Sequence, residues 1–315
     1  MEFDHQPVLA KETIQALRLK PRGIYVDCTL GGGGHSLEML KAQPDCRVIG
    51  IDRDPYALEA AKRRLTDFSA NVEFVHGNFR NLDQILDTLN TEAVDGIVMD
   101  LGVSSPQLDQ AERGFSYQQD ARLDMRMDPT GQVSAYDLVN NLSKRELARI
   151  IKEYGEERWA ARIAEFIVIH RQSRPIETTG ELVSIIKAAV PKKARSEGAH
   201  PAKRTFQALR IAVNDELGAL AEALEKAVER LRPGGRLCVI TFHSLEDRIV
   251  KQYFSKLGSL CSCPPDFPVC SCGKRQLVTV ITKKPITASD SELAANPRAR
   301  SAKLRVCERL PEEDT

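Results

Sequence analysis

Short apolar runs alternate with amphipathic segments over most of the chain, and this pattern predicts a largely parallel sheet covered by helices. The runs are rich in β-branched residues, and several of them end on a carboxylate or lead into glycines. Strands are predicted at residues 24–30, 47–52, 71–76, 94–100, 237–242, 277–282 and 302–308.

The alternation stops in the middle of the chain. Residues 109–208 contain helical periodicity and two capping boxes, Ser143-x-x-Glu146 and Thr178-x-x-Glu181, but no strand pattern. We therefore predict an all-helical insertion, on the substrate side, in an α/β domain. The two parts of that domain are then residues 1–108 and 209–315.

Local signals predict three further boundaries after the insertion. Apolar residues at a spacing of three to four predict one long helix from Phe206 to Leu231. The segment Arg232-Pro-Gly-Gly-Arg236 is predicted to be a turn before the fifth strand. Ser244 and Asp247 have the spacing of a capping box, which predicts that the next helix begins there.

Composition restricts the class of protein. The 315 residues are 42% hydrophobic and 28% charged, which is typical of a soluble globular protein. No apolar run approaches the roughly 20 residues of a membrane span, and the N-terminus lacks the pattern of a signal peptide. We therefore expect a cytoplasmic protein without a membrane partner. Its net charge of +1 means that any nucleic-acid binding must come from local basic patches.

The chemistry of the chain begins at the first two predicted strands. The first leads into Asp27-x-Thr29-x-Gly31-x-Gly33, and the second ends on Asp52, about 20 residues further on, where a nucleotide ribose is commonly held. A dinucleotide fingerprint would need a third glycine where Ser36 stands, and no Gly-Lys-Ser/Thr of a P-loop follows. An acid followed by spaced glycines resembles motif I of the class I methyltransferases, which bind S-adenosylmethionine.

Longer motifs along nearly the whole chain resemble one family. They are Asp27 to His35, Ile51 to Pro55, Asp100 to Gln107, Glu112 to Phe115, Leu123 to Pro129, Tyr154 to Glu157, His200-Pro201, Arg204 to Gln207, Phe242 to Arg248 and Asn296 to Arg300. Together they resemble the MraW/RsmH family, the bacterial 16S rRNA cytosine-N4 methyltransferases. The resemblance implies an S-adenosylmethionine-dependent class I fold, a Rossmann-like seven-stranded sheet with an inserted all-helical domain. It also implies that the last two strands form an antiparallel pair.

The resemblance also implies a substrate and a set of cofactor contacts. The substrate would be a decoding-site cytosine, conventionally position 1402 of 16S rRNA, in the small ribosomal subunit. The family's contacts to S-adenosylmethionine match Gly33, Gly34, His35, Asp52, Phe79, Asp100 and Gln107 of this sequence. Phe79 would stack on the adenine and Asn78 would bond its edge, with plain core packing as the alternative for Phe79.

Methylation of the cytosine amine requires an acceptor for a departing proton as well as in-line alignment. Ser105 and His243 lie near the carboxyl ends of the predicted fourth and fifth strands, so both are candidates, as are backbone carbonyls. The sequence does not choose among them. An unstacked base is expected, because the amine is otherwise out of reach.

A basic segment follows the capping boxes of the insertion. We predict that cations there contact RNA phosphates, with a solvated surface as the alternative reading. The predicted contacts are Lys192, Lys193, Lys203, Arg204 and Arg210.

Four of the eight cysteines fall in the loop 261–272, as Cys261-x-Cys263 and Cys270-x-Cys272. Two close thiol pairs in a cytoplasmic protein suggest a structural zinc site. The one-residue spacing is tighter than usual, so a reduced loop without metal is an equal alternative.

Other functions share the same cradle. A methyltransferase acting on DNA or a small molecule, a non-catalytic RNA-binding assembly factor and a dinucleotide oxidoreductase all stay open, the last disfavoured by Ser36. The sequence also leaves open whether naked rRNA or the assembled subunit is bound. The oligomeric state is open as well, with a homodimer among the alternatives.

Overall fold

The computed structural model describes residues 7–195, 200–261, 272 and 275–311, and for Ser105 and Pro106 the backbone alone. The chain divides into two compact units. One consists of Met1–Gly102 and Gly218–Thr315, and the other of Val103–Leu217. The boundaries predicted from the sequence for the helical insertion are residues 109 and 208.

The first unit is built on a seven-stranded sheet. Its strands are β1 (Ile24–Asp27), β2 (Arg47–Asp52), β3 (Val72–His76), β4 (Val94–Asp100), β5 (Leu231–Thr241), β6 (Val278–Val280) and β7 (Lys303–Arg309). The order across the sheet is β3-β2-β1-β4-β5-β7-β6. Strands β1 to β5 pair in parallel, whereas β7 is antiparallel to both β5 and β6. The predicted α/β class and the antiparallel closing pair are thus confirmed.

The first and last parts of the chain, which form this sheet, also contain α-helices. They are α1 (Ala10–Leu17), α2 (Gly34–Ala42), α3 (Pro55–Arg64) and α4 (Leu82–Thr88), and later α12 (Glu216–Glu229), α13 (Ser244–Leu257) and α14 (Asp290–Ala295). Short 3₁₀ turns occur at Thr66–Asn71, Phe79–Asn81 and Pro297–Ser301. Helix α3 begins as predicted, because the Asp54 side chain accepts from the N–H of Tyr56 and Pro55 occupies the first helical position.

Both faces of the sheet are buried, which explains the continuous apolar runs of its strands. Along β4, Ile97 and Met99 belong to one hydrophobic cluster, while Val98 between them belongs to the other. On β5 the same alternation separates Val239 from Ile240. The period of two therefore sorts neighbouring residues between two cores rather than between core and solvent.

The second unit contains helices α5 (Ser105–Asp109), α6 (Ala135–Asn141), α7 (Lys144–Gly155), α8 (Ala160–Arg171), α9 (Thr179–Ala189), α10 (Lys192–Arg195) and α11 (Lys203–Asn214), and a 3₁₀ turn at Ala111–Arg113. Both predicted capping boxes, Ser143 with Glu146 and Thr178 with Glu181, are present at the starts of α7 and α9. Its apolar side chains form a hydrophobic cluster of their own.

Two predicted boundaries are wrong. The long helix from Phe206 to Leu231 is two helices, because Asp215 adopts a left-handed conformation (φ 46°) between α11 and α12. The predicted turn Arg232–Arg236 lies inside β5, which starts at Leu231. Those residues form a bulge: Val94 pairs with Leu231 and Gly96 with Arg236, so one intervening residue of β4 faces four of β5.

Within the part of the chain that the structure describes, no helix is both long and apolar enough to cross a bilayer.

Asn214, the last residue of α11, anchors the irregular segment 113–128 through hydrogen bonds to its backbone. Its Oδ1 accepts from the N–H of Met127 at 2.8 Å, and its Nδ2 donates to the carbonyl of Met125 at 2.7 Å. Asn214 is 4% exposed, so both backbone groups would be left without water if it were removed. Its bonds across 87 and 89 positions of sequence are a tertiary signal that local periodicity does not contain.

We expect Asn214→Ala to lower the free energy of unfolding by about 1–3 kcal/mol, because two buried backbone groups lose their partners. Urea denaturation of the full chain measures it. Asn141→Ala is the matched control, since Asn141 is exposed at the end of α6 and should change stability by less than about 0.5 kcal/mol. Equal effects of the two substitutions would contradict the assigned role of Asn214.

Candidate active site

The end of β1 carries the first buried carboxylate of the site. Asp27 is 1% exposed, and its Oδ1 accepts from the N–H of Thr29 at 3.2 Å. Its Oδ2 accepts from the hydroxyl of Ser36 at 2.8 Å. Burial raises the pKa of Asp27, although His35 and these two hydrogen bonds partly offset it. Ser36, the residue that breaks the dinucleotide fingerprint, is thus the partner of the motif's acid.

The glycines after β1 shape the loop above it. Gly31 and Gly33 have φ values of 51° and 76°, conformations in which a side chain is strained. Among the residues that the structure describes, a Cβ on Gly31 would meet only the Thr29 carbonyl, at 3.8 Å, so they leave room beside the loop there. Gly33 is the N-cap of α2, and Gly34 is its first residue. The loop therefore presents backbone without side chains at the start of a helix.

Asp52 at the end of β2 is bound to that loop. Its Oδ2 accepts from the N–H of Gly31 at 2.7 Å, and its Oδ1 accepts from the N–H of Asp54 at 2.8 Å. Burial raises the pKa of Asp52 to about 6, and the two backbone hydrogen bonds oppose that rise. Two donors therefore orient the carboxylate, and its pKa of about 6 lies close to neutral pH.

Asp100 at the end of β4 faces His35. The N–H of Asp100 donates to Thr29 Oγ1 at 2.6 Å, and its Oδ2 lies 3.4 Å from His35 Nε2. His35 is 4% exposed, and neither ring nitrogen forms a hydrogen bond of good geometry with any described residue. Asp100 Oδ1 also lacks a described partner. Burial disfavours a charged ring, but the carboxylates of Asp100 and Asp27 outweigh it and raise the pKa of His35.

Phe79 and Asn78 follow β3. Asn78 caps the short turn Phe79–Asn81, because its Oδ1 accepts from the N–H of Arg80 at 3.0 Å. Phe79 is half-buried and packs against the cluster that contains Ile97. The ring thus combines core packing with partial exposure, so stacking on an adenine stays a prediction.

His243 is the N-cap of α13, and the predicted capping box of Ser244 with Asp247 is replaced by one of His243 with Glu246. His243 Nδ1 accepts from the N–H of Glu246 at 3.4 Å, which places the ring proton on Nε2. That atom lies 3.0 Å from Glu246 Oε1, while Glu246 Oε2 accepts from the N–H groups of Phe242 and His243 at 2.8 and 3.2 Å. Nδ1 therefore caps the helix, whereas the buried Nε2 lies beside Glu246 without a hydrogen bond of good geometry to any described residue.

Sequence reasoning missed Glu246, which is 2% exposed and anchors the end of β5. The signal was available: an acid three residues after a polar residue that follows a strand is the capping-box spacing. Histidine was not considered as the capping residue because Ser, Thr, Asp and Asn are the usual ones.

The other two predicted residues belong to the second unit. Gln107 is 4% exposed, and its Oε1 accepts from the N–H of Ser104 at 3.0 Å. Ser105 is the first residue of α5. The structure therefore brings Gly33, Gly34, His35, Asp52 and Asp100 together in the first unit.

The predicted phosphate contacts also lie in the second unit. Lys192 and Lys193 are exposed on α10, and Lys203 and Arg204 are exposed at the start of α11. Arg210 differs from them, because its Nε and Nη2 donate to the two carboxylate oxygens of Glu216 at 2.8 and 2.9 Å. Its charge is thus largely neutralised within the protein.

The cysteine loop is only partly described. Cys263 and Cys270 lie outside the described residues, and the sulfurs of Cys261 and Cys272 are 3.8 Å apart. Among the residues that the structure does describe, no group of three or more His, Cys, Asp and Glu side chains is placed to hold a metal ion. The predicted zinc site therefore gains no support.

With this geometry in place, comparison with known families is decisive. A model of the MraW methylase family matches residues 2–310. The chain belongs to that family.

Relatives within the family align almost end to end. Proteins named ribosomal RNA small subunit methyltransferase H are 59% identical in Symbiobacterium thermophilum, 58% in Heliobacterium modesticaldum and 55% in Clostridioides difficile. Each alignment covers 98% of this chain and 98–100% of the relative. An rRNA methylase structure from Streptococcus thermophilus aligns with 96% of this chain and 94% of its own, at 14% identity and a TM-score of 0.42, a weak likeness.

We expect the affinity for S-adenosylhomocysteine to depend on the protonation of Asp52. A nucleoside offers hydroxyl donors, which a carboxylate accepts and a carboxylic acid accepts less well. Because the pKa of Asp52 is raised to about 6, the dissociation constant should be level above that pH. Below it, binding should weaken, approaching about tenfold per pH unit.

Isothermal titration across this pH range measures it, with Asp52→Asn as the comparison. The amide can still accept from one backbone N–H but does not titrate, so this component of the pH dependence should vanish. Dependence that persists in Asp52→Asn belongs to other groups such as His35. An unchanged profile in the variant would remove Asp52 from the binding site.

A second prediction separates a capping from a catalytic role of His243. His243→Asn keeps a good N-cap acceptor and removes the imidazole, so stability should change little and kcat should fall by less than the 10²- to 10⁴-fold typical of a lost general base. His243→Ala should lower the free energy of unfolding by about 0.5–2 kcal/mol. A loss of kcat in that larger range in His243→Asn, at unchanged stability, would identify the ring as the proton acceptor.

Proposed function

We propose that this protein transfers the methyl group of S-adenosylmethionine to the exocyclic N4 amine of a cytosine in 16S rRNA, position 1402 at the decoding site of the small ribosomal subunit. The observation that carries the proposal is the 55–59% identity, over 98% of this chain, to proteins named for methylation of small-subunit rRNA. The N4 position and the cytosine come from the motif resemblance. The reaction would take place in the cytoplasm, where ribosomal subunits are found.

The polar atoms of the first unit fit a cofactor with hydroxyl groups and an amino-acid part. His35 offers two buried ring nitrogens and Asp100 a buried Oδ1, and none of these atoms forms a hydrogen bond of good geometry with a described residue, although Nε2 lies 3.4 Å from Asp100 Oδ2. Such groups are costly unless a ligand or water satisfies them. Asp52 stands where nucleotide folds hold a ribose. We assign cofactor contacts to Gly33, Gly34, His35, Asp52, Phe79 and Asp100; for Gln107 the assignment rests on the motif resemblance alone.

When bound, S-adenosylmethionine supplies an electrophilic methyl on its sulfonium. A bond forms from N4 to that carbon as the carbon–sulfur bond breaks, and N4 loses one proton. The chain's own contribution is mainly positional, because the amine lone pair is delocalised into the ring and attack requires alignment. Thr29 contributes to this positioning indirectly. Its hydroxyl links the glycine loop to Asp100 and so fixes the distance between the ends of β1 and β4.

The proton that leaves the N4 amine needs an acceptor. The candidates are Ser105, His243 and backbone carbonyls near the ends of β4 and β5. The capping contact of His243 uses Nδ1, and its Nε2 is buried beside Glu246 without a hydrogen bond of good geometry to a described residue. His243 therefore remains a candidate beside the others. RNA would be held through phosphates by Lys192, Lys193, Lys203 and Arg204, with Arg210 contributing less.

Labelled-methyl mapping tests this function. Small subunits from a strain that lacks the corresponding gene, incubated with the protein and methyl-labelled cofactor, should acquire one label on a cytosine N4 of 16S rRNA. Naked 16S rRNA and duplex DNA form parallel arms. Label that enters DNA alone would overturn the choice of substrate.

The variants Asp52→Ala and Asp100→Ala separate an enzyme from an assembly factor with an unused cradle. Both should weaken cofactor binding and abolish labelling, whereas Asp67→Ala, an exposed aspartate of the same unit, should do neither. Binding of rRNA without methyl transfer by the unaltered protein would support the assembly factor, and binding of NAD would support the oxidoreductase.

A further inference from the structure

Three aromatic rings form a ladder in the second unit. Phe206 on α11 is 3% exposed, and its ring meets Tyr117 edge-on, with centroids 5.9 Å apart and an interplanar angle of 79°. Tyr117 in turn stacks on His200, with centroids 4.8 Å apart and an angle of 11°. Tyr117 and His200 are both half-buried. The ladder therefore starts in the core and ends on a ring that is partly accessible.

Backbone contacts hold the last ring in place. His200 Nδ1 accepts from the N–H of Ala202 at 3.3 Å, and its carbonyl accepts from the N–H of Lys203 at 2.9 Å. The ring is thus oriented by the start of α11 as well as by Tyr117. Burial and the charge of Lys187 lower the pKa of His200, which keeps the ring neutral at pH 7.

Exposed cations lie next to this ladder. Lys187 is close enough to act on His200, and Lys203, the first residue of α11, donates its N–H to the His200 carbonyl. Lys192 follows in the same unit on α10, and all three lysines are exposed. Arg204 is exposed too, and its Nη1 donates a hydrogen bond to the carbonyl of Glu156 at 3.1 Å. A flat ring among cations is the combination that single-stranded nucleic acid requires, since bases stack on rings and phosphates need positive charge.

We propose that His200, backed by Tyr117, is a stacking platform for an unpaired base of the RNA substrate. This inference rests on the proposed function and adds to it a residue that contacts a base rather than a phosphate. The ladder explains how a single half-buried ring can serve: Tyr117 and Phe206 prevent His200 from turning when a base leaves. The neighbouring lysines supply affinity for the backbone on either side of the stacked base.

Two substitutions of His200 separate stacking from capping. His200→Asn keeps an acceptor for the N–H of Ala202 and removes the ring, whereas His200→Phe keeps a ring and removes the acceptor. If stacking matters, His200→Asn binds RNA roughly 5- to 150-fold more weakly and His200→Phe stays within about threefold of the unaltered protein. If only the helix cap matters, the order is reversed.

The measurement is fluorescence anisotropy of the full chain with a short fluorescein-labelled single-stranded RNA, without cofactor. Duplex RNA of the same sequence is the second probe, and the loss in His200→Asn should be confined to the single strand because paired bases are not available for stacking. Tyr117→Leu should repeat the loss and Tyr117→Phe should not. His170→Asn is the matched control, an exposed histidine of the same unit whose Nδ1 bonds the carbonyl of Phe166.

In steady-state methylation, His200→Asn should raise KM for rRNA and leave the affinity for S-adenosylhomocysteine unchanged. The inference is overturned if His200→Asn binds single-stranded RNA as tightly as the unaltered protein, or loses duplex RNA equally. Methyl transfer to 16S rRNA by the unaltered protein would survive either result, so failure of the platform is distinguishable from failure of the proposed function.

Discussion

The hydrogen bond from the N–H of Gly31 to the carboxylate of Asp52 holds the cradle together. It joins the loop after β1 to the end of β2, and the bond from Asp100 to Thr29 joins the same loop to the end of β4. A glycine loop has no side chains to order it, and its backbone is costly to fix. The hydrogen bond to the Asp52 carboxylate, worth roughly 1.5–3 kcal/mol when that group is charged, offsets part of that cost, and the neutral bond from Asp100 to Thr29 adds a smaller contribution.

This arrangement concentrates negative charge in a small space. Asp27, Asp52 and Asp100 end three adjacent strands, and burial raises the pKa of both Asp27 and Asp52. His35 lies among them, and the carboxylates of Asp100 and Asp27 raise its pKa in turn. These polar groups are buried, so water satisfies them poorly. A ligand that donates to the carboxylates would relieve this cost and stabilise the fold by mass action.

The sequence contains much of this site because strand ends are locally encoded. Buried runs that stop on Asp52 and Asp100 predicted both strands and the presence of both acids at one edge of the sheet, since parallel strands place their carboxyl ends on one edge. The break at Asp215 could not be predicted in the same way. The 3–4 apolar spacing continues across it, and the tertiary bonds of Asn214 to Met125 and Met127, which no local pattern reports, hold the last residue before it.

A different limit applied to His243 and the cations of the second unit. From the sequence, a histidine at a strand end is interpreted as a catalytic candidate, and Arg210 is interpreted as one more phosphate contact. The structure shows what each side chain already binds: His243 caps a helix, and Arg210 is paired with Glu216. A side chain engaged in this way must break an existing contact before it can serve a substrate. His200 and His243 each accept a backbone N–H through Nδ1, but their surroundings differ. His200 stacks on Tyr117 near exposed lysines, whereas the ring of His243 lies against the buried carboxylate of Glu246. The surroundings of the ring, rather than residue type, therefore distinguish the structural histidine from the one placed to meet a base.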